Sequence, residues 1–335
     1  METIRHRLTI PEALAGQRLD QALASLLPDY SRSRIKAWIL SGDILVEGKS
    51  AAPRDRVRAG QQIEVHAVVA VQETSAPEPI ELTIVYEDDD VLVIDKPAGL
   101  VVHPGAGNPA GTLLNGLLHH APELVNLPRS GILHRLDKDT SGLLLIARKV
   151  PAHTRLVRAL EKRVISREYR AVCSGRVTAG GHVDAPIGRH PTQRTKQAVT
   201  DKGKPAVTHY RALARFAAHS FLALRLESGR THQIRVHMAH IRHALVGDPV
   251  YGGRLGIPAG TSPELEAVLR GFSRQALHAS RLSFAHPVSG ETIECHAPLP
   301  ADLLELLAAL AAQGDAPKLA DADWDAMTWP QPIST

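Results

Sequence analysis

Cysteine, long apolar runs and glycine-rich loops are what this chain has least of, and each shortage closes off a class of function. Only Cys173 and Cys295 occur in 335 residues. They are far apart and in no metal-ligand spacing, so they read as two buried free thiols rather than a disulfide or a metal site. No apolar stretch approaches transmembrane length, and the N-terminal M-E-T-I-R-H-R leads into charged sequence with no signal-peptide core. The expectation is a cytoplasmic protein with no membrane partner. Neither a dinucleotide-binding glycine pattern nor a Walker loop is present, which speaks against a nucleotide cofactor. His232, His237, His240 and His243 invite a metal reading. The last three are spaced by three, however, whereas helical ligand pairs more often sit four apart, and no cysteine or carboxylate completes a set. No cofactor and no metal are therefore expected, and there is no internal repeat.

What the chain does have is hydrophobic content of 44% over a length that suits two domains. Its net charge of +4 is unevenly spread. Lys plus Arg less Asp plus Glu gives +1 for residues 1–75, −4 for 76–150, +12 for 151–250 and −5 for the rest. A hundred-residue block at +12 is an electrostatic footprint for a polyanion, because each phosphate it neutralises releases condensed counterions.

Residues 1–72 read as a small domain. A helical pattern opens at Arg18-Leu19-Asp20, carries Leu19, Leu23, Leu26 and Leu27 on one face and stops at Pro28. Ser31 suits the N-cap of a second helix, Arg32 to Leu40, with Ile35, Trp38 and Ile39 for a core face and Arg32, Arg34 and Lys36 projecting elsewhere. Short strands are expected near 44–46 and 63–65. Residues 73–79, with two prolines, have the composition of a linker. A second domain follows over 80–312, beginning with a hairpin whose second strand stops at Lys96-Pro97-Ala98-Gly99. Helices are expected near 112–119 and 152–162, and alternating antiparallel strands at 170–172, 206–214 and 221–226. Between them residues 188–204 carry Arg189, Arg194, Lys196, Lys202 and Lys204 with no apolar period, which reads as a long basic loop that grips a nucleic-acid backbone. The tail 313–335 is polar and acidic and is expected to fray.

The second domain centres on Gly131 to Lys149, G-I-L-H-R-L-D-K-D-T-S-G-L-L-L-I-A-R-K. Its second half, Gly142 to Ala147, suits a buried strand. Its first half places His134, Arg135, Asp137, Lys138 and Asp139 within six residues, too much charge for a core. A loop feeding a rigid strand is the expected setting, and such loops are where sites concentrate.

The string H-R-L-D-K-D-T-S-G resembles the catalytic motif of the RluA family of pseudouridine synthases. Three further stretches match in order and spacing: Asp95 to Gly99, Arg167 to Ala171 (R-E-Y-R-A), and Gly229 to His237 (G-R-T-H-Q-I-R-V-H). The resemblance covers about Arg18 to Pro300. It implies an α+β architecture, with a mixed, mainly antiparallel sheet in the catalytic domain and a small N-terminal S4-like RNA-binding domain. The implied activity is isomerisation of uridine to pseudouridine in RNA, with no cofactor. Asp137 would attack the sugar or start an elimination, held ionised by Arg235. Tyr169 would stack on the target base and take the C5 proton. Ile234, on the strand before Arg235, would line the apolar side of the pocket, and Arg135 would help evert the base. The Asp95 to Gly99 segment would support the site without doing chemistry. Arg230, Arg189, Arg194 and Lys196, with Arg32, Arg34 and Lys36 of the small domain, would hold RNA. The segments His103 to Pro109, Pro186 to Thr192 and Val246 to Gly253 are most similar to members acting on the helix-69 stem-loop of 23S rRNA. That implies an RNA partner within assembling large subunits and a monomeric enzyme.

Other readings compete. Other 23S rRNA or tRNA sites would suit the same motifs. Asp137 and Asp139 could form the carboxylate pair of a glycosidase, though Arg135, Lys138 and the +12 block suit RNA better than neutral sugar. A non-enzymatic rRNA-binding assembly factor would need only the S4-like helices and the basic segment.

Overall fold

The computed structural model describes residues 2–27, 30, 32–69, 75–105, 107–193, 195–253 and 256–314. Pro28, Ser31, Arg194, the first two residues of the expected linker and residues 315–335 of the expected tail lie outside the described residues, as does the side chain of Arg34. The chain forms two compact units, Met1–Thr74 and Ser75–Thr335.

The first unit runs β1 (Glu2–Thr9), α1 (Leu19–Leu26), α2 (Arg32–Ser41), β2 (Ile44–Val46), β3 (Lys49–Ser50) and β4 (Gln62–Val69). Its sheet is ordered β1-β4-β2-β3 and is antiparallel throughout. Leu19 and Leu23 of α1 meet Ile35, Trp38 and Ile39 of α2 over Ile44, Ile63 and Val65, the faces their spacing requires. Strand β1 has no counterpart in the sequence reading: E-T-I-R-H-R-L-T is polar at most positions and gives no clean alternation.

The second unit runs β5 (Thr83–Glu87), β6 (Val91–Lys96), α3 (Leu113–His120), β7 (Ser141–Ala147), α4 (Val150–Glu161), β8 (Ser166–Ser174), β9 (Gly181–Asp184), β10 (Ile187–Arg189), β11 (Gln197–Val199), β12 (Val207–Arg215), β13 (His219–Leu226), α5 (Gln233–His240), α6 (Pro263–Gly271), β14 (Leu277–Ala285), β15 (Thr292–His296) and α7 (Ala301–Ala312). Nine strands form one sheet, ordered β5-β6-β7-β14-β8-β13-β12-β9, with β15 also on β14. Only the β7–β14 pairing is parallel, so the sheet is mixed and mainly antiparallel, as expected.

Both faces of the central strands are covered. Leu144 and Ile146 of β7 and Tyr169, Ala171 and Cys173 of β8 pack on α3 and α5. Leu143 and Leu145 pack on α4, and Val172 packs toward α6 and α7. A strand buried on both sides needs apolar residues at every position, which is why β7 reads as an unbroken run and is buried along its whole length. Gly142 sits where β14 crosses closest: its φ is +111°, and a Cβ there would lie 2.3 Å from the Ala279 carbonyl oxygen. Both thiols are free and buried. No helix among the described residues is long and apolar enough to cross a membrane.

Two expectations are corrected. Residues 188–204 are not one long loop: β10 and β11 pair antiparallel there, making a two-stranded basic arm. Ile234 lies not on a strand but in the first turn of α5.

Candidate active site

The loop between residues 132 and 140 is closed at its end by a turn in which the Thr140 N–H donates to the Asp137 carbonyl. Its base is fixed by Lys96, the last residue of β6. Lys96 is fully buried and donates to the carbonyls of Pro97 (2.7 Å), Leu100 (3.0 Å) and Lys138 (3.0 Å). Burial pushes its amine down to about 8. The D-K-P-A-G segment thus holds the backbone one residue beyond Asp137.

Asp137 is 16% exposed, and its Oδ2 accepts from Nη1 of Arg235 at 2.9 Å. Arg235, on the buried first turn of α5, is itself gripped from behind. Its Nε and Nη2 fork onto the two oxygens of Asp248 at 2.7 and 2.9 Å. Burial alone would raise the Asp248 carboxyl, but the Arg235 fork and the backbone N–H groups of Val250 and Tyr251 outweigh it and hold the group below the usual carboxylate range. The Tyr251 ring lies 5.1 Å from the Arg235 guanidinium carbon, and its hydroxyl meets His232 Nδ1 at 2.8 Å. His232 Nε2 stands 3.8 Å from Asp137. Burial lowers the His232 imidazole, opposed by the Asp137 charge.

Tyr169 and Ile234 belong to the same buried cluster as Leu136, the residue before Asp137. Burial raises the Tyr169 phenol further above its ordinary value, and the nearby Asp137 charge adds to this. The result is a partly exposed carboxylate beside an apolar cluster that includes a buried tyrosine. Arg135 is exposed on the same loop. His134 departs from the expectation that this half of the motif stays out of the core: its ring turns inward, Nε2 accepts the Leu145 N–H at 3.2 Å, and burial pushes it down to about 3.

Of the expected RNA-binding residues, Arg189 is exposed at the end of β10 and Arg230 is exposed with Nε on the Pro205 carbonyl. Lys196 reaches back to donate to the Val250 carbonyl at 3.1 Å, and the neighbouring Gln197 N–H donates to the Tyr251 hydroxyl. The arm is therefore anchored to the residues that hold Asp248. In the first unit Lys36 is exposed, while Arg32, about half exposed, pairs with Asp20 at 3.1 Å. Asp248, Tyr251 and His232 were not reached as site residues by sequence reasoning. The only signals were the strings V-G-D-P-V-Y-G-G and G-R-T-H-Q-I-R. The four motif histidines do not gather. His237 is spent on Thr208 and the Ala185 carbonyl, and among the described residues the one three-membered group of metal-ligating type is Asp88, Asp90 and His286.

Residues 90–240 match the family described as RNA pseudouridylate synthase, and residues 17–63 match the S4 domain. The chain is 58% identical over 305 residues to the ribosomal large subunit pseudouridine synthase D of Yersinia pestis, covering 91% of this chain and 94% of that protein. It is 56% identical over 317 residues to the protein of the same name from Shigella flexneri, covering 94% and 97%. Among solved structures, the human RNA pseudouridylate synthase domain containing 1 superposes with a TM-score of 0.51 at 26% identity, over 70% of this chain and 96% of that one. The human domain containing 4 superposes with a TM-score of 0.55 at 23% identity, over 68% and 93%.

Proposed function

The chain belongs to the RNA pseudouridylate synthase family, and on that premise we propose that it isomerises uridines of the large-subunit ribosomal RNA. The proposed target is the helix-69 stem-loop of 23S rRNA, met by a monomer in assembling subunits in the cytoplasm. The names and near full-length coverage of its relatives support the rRNA class. The helix-69 assignment rests on the three sequence segments named above.

Asp137 is the proposed catalytic carboxylate. The observation that carries this reading is its contact with Arg235, a permanent cation that is itself held by Asp248. Such a clamp fixes one carboxylate oxygen and leaves the other for the sugar. Asp137 then either bonds C1′ or begins elimination. In both routes N1–C1′ breaks, the base turns, and C5 takes its place at C1′. The uridine must leave its stack to reach the site, as enzymes acting on a base require. Tyr169 and Ile234 form the wall against which it rests, Tyr169 offering a π face and then taking the C5 proton on its phenol oxygen as it gives up its own, while N1 gains a proton. Arg135 fills the vacated place, and Arg230, Arg189, Lys196 and Lys36 contact backbone phosphates.

The test is a chemical map of pseudouridine in rRNA and tRNA from cells lacking the gene, complemented with wild type or Asp137→Asn. Loss confined to helix 69 that only the wild type restores is the expected result. Persistence of every site on deletion would favour a binding-only assembly factor.

A further inference from the structure

Four arginines of the described residues are less than a tenth exposed: Arg167, Arg170, Arg235 and Arg274. Three have a carboxylate. Arg235 has Asp137 and Asp248, Arg274 has Asp302 at 2.6 Å, and Arg170 faces Glu168 at 3.8 Å. Arg167 has none among the described residues, and its Nε is buried with no hydrogen-bond partner. A buried charge without a partner is costly and is kept only where something else answers it.

Its position says what that is. Side chains two apart on a strand share a face, so Arg167 of β8 points to the same side as Tyr169, into the cluster with Leu136 and Ile234. The charges of Arg167 and Asp137 both act on the Tyr169 phenol, and Arg167 adds to the burial that keeps His134 neutral. Over the guanidinium lies Gly229, where a Cβ would come within 2.9 Å of Nη1. The first residue of the G-R-T-H-Q-I-R stretch thus has no side chain where the cation stands.

We propose that Arg167 donates to a carbonyl oxygen of the flipped uracil and stabilises the base as it departs. When N1–C1′ breaks, its electron pair stays on the base and spreads to O2 and O4, so the leaving group is an anion whether Asp137 bonds C1′ or starts elimination. No proton is available at N1 to quench it. A fixed, buried guanidinium beside the base is the group that lowers this barrier; the charge is neutralised when C5 bonds C1′, and the C5 proton then leaves as N1 gains one. The depth of Arg167 favours the base over a backbone phosphate, which would keep its anion nearer the surface.

The inference rests on the proposed site around Asp137. Full-length wild type, Arg167→Gln, Arg167→Lys and Asp137→Asn are compared in single-turnover reactions on a 23S rRNA fragment containing the target stem-loop, with uridine or 5-fluorouridine at the target. Fluorine withdraws electrons and makes the base a better leaving group. Arg167→Gln is expected to lose on the order of 10²-fold in the rate of glycosidic cleavage with uridine, to bind RNA within about threefold of wild type with an unchanged salt slope, and to recover at least half of its logarithmic deficit with 5-fluorouridine. Arg167→Lys should retain part of the rate and carries the test should the Gln variant fail to fold. Equal deficits on both RNAs, or a loss of affinity with a shallower salt slope, would overturn the proposal in favour of a phosphate contact. If Asp137→Asn is inert and Arg167→Gln is as fast as wild type, Arg167 alone is misassigned. An active Asp137→Asn would sink the site reading and this inference with it.

Discussion

The two aspartates on Arg235 differ in what they can do although both touch the same guanidinium. Asp137 keeps part of its carboxylate exposed, whereas the Asp248 side chain is wholly buried and all its acceptor capacity is spent on Arg235 and two backbone N–H groups. Asp248→Asn therefore removes a buried countercharge. It should cost about 3 kcal/mol of stability and, by letting Arg235 swing, lower the single-turnover rate as well. Asp137→Asn should abolish turnover while melting close to wild type. Thermal unfolding and single-turnover rates of the two variants check this, and equal melting losses would mean that the two carboxylates are not distinguished by burial. Asp137, Tyr169 and Arg235 were legible because motif order places them. Asp248 was not, since nothing local distinguishes a buried aspartate that clamps an arginine from one that caps a turn. Its partner lies 13 residues away.

Element type was legible for α4 and misread for α5. Helix α4 has a long apolar side and was expected nearly as observed. Helix α5 is buried from Gln233 to Met238. Gln233 to Met238 alternate polar and apolar, which looks like a strand, and packing overrode the local pattern. One side chain links the turn after β6 to the Asp137 loop, since Lys96 caps three carbonyls from two segments. Lys96→Met fills similar volume but takes this donor from the Pro97 and Leu100 carbonyls and leaves the Lys138 carbonyl with only the Gly99 N–H, at about 1–3 kcal/mol for each acceptor left dry. The expected outcome is a melting point lowered together with kcat, because the Lys138 backbone beside Asp137 loses one of its two tethers, while RNA affinity is unchanged. Denaturation, turnover and filter binding of Lys96→Met decide it. Unaltered kcat in a destabilised variant would show that the tether does not position Asp137.

At the scale of the whole molecule, the second unit keeps several imidazoles neutral in its interior, and that fixes how it meets acid. His278 lies between Ser141 and the Ala297 carbonyl, at 2.9 and 3.3 Å, where β14 meets β7, and burial pushes it down to about 4. His134, at about 3, accepts from the backbone of β7. An unfolded histidine binds its proton near 6.5. Between that pH and about 4 the unfolded chain therefore holds protons that the native state does not. Stability is complete above 6.5 and falls as pH drops, each such group contributing up to about 1.4 kcal/mol per pH unit. Both residues sit against the strand that carries the Asp137 loop, so acid should loosen the site unit before the paired carboxylates are protonated. Urea midpoints between pH 7.5 and 4.5 should fall with a slope that His278→Gln makes shallower, since a glutamine can serve both Ser141 and Ala297 without titrating. A variant with the wild-type slope would place the acid response in other groups.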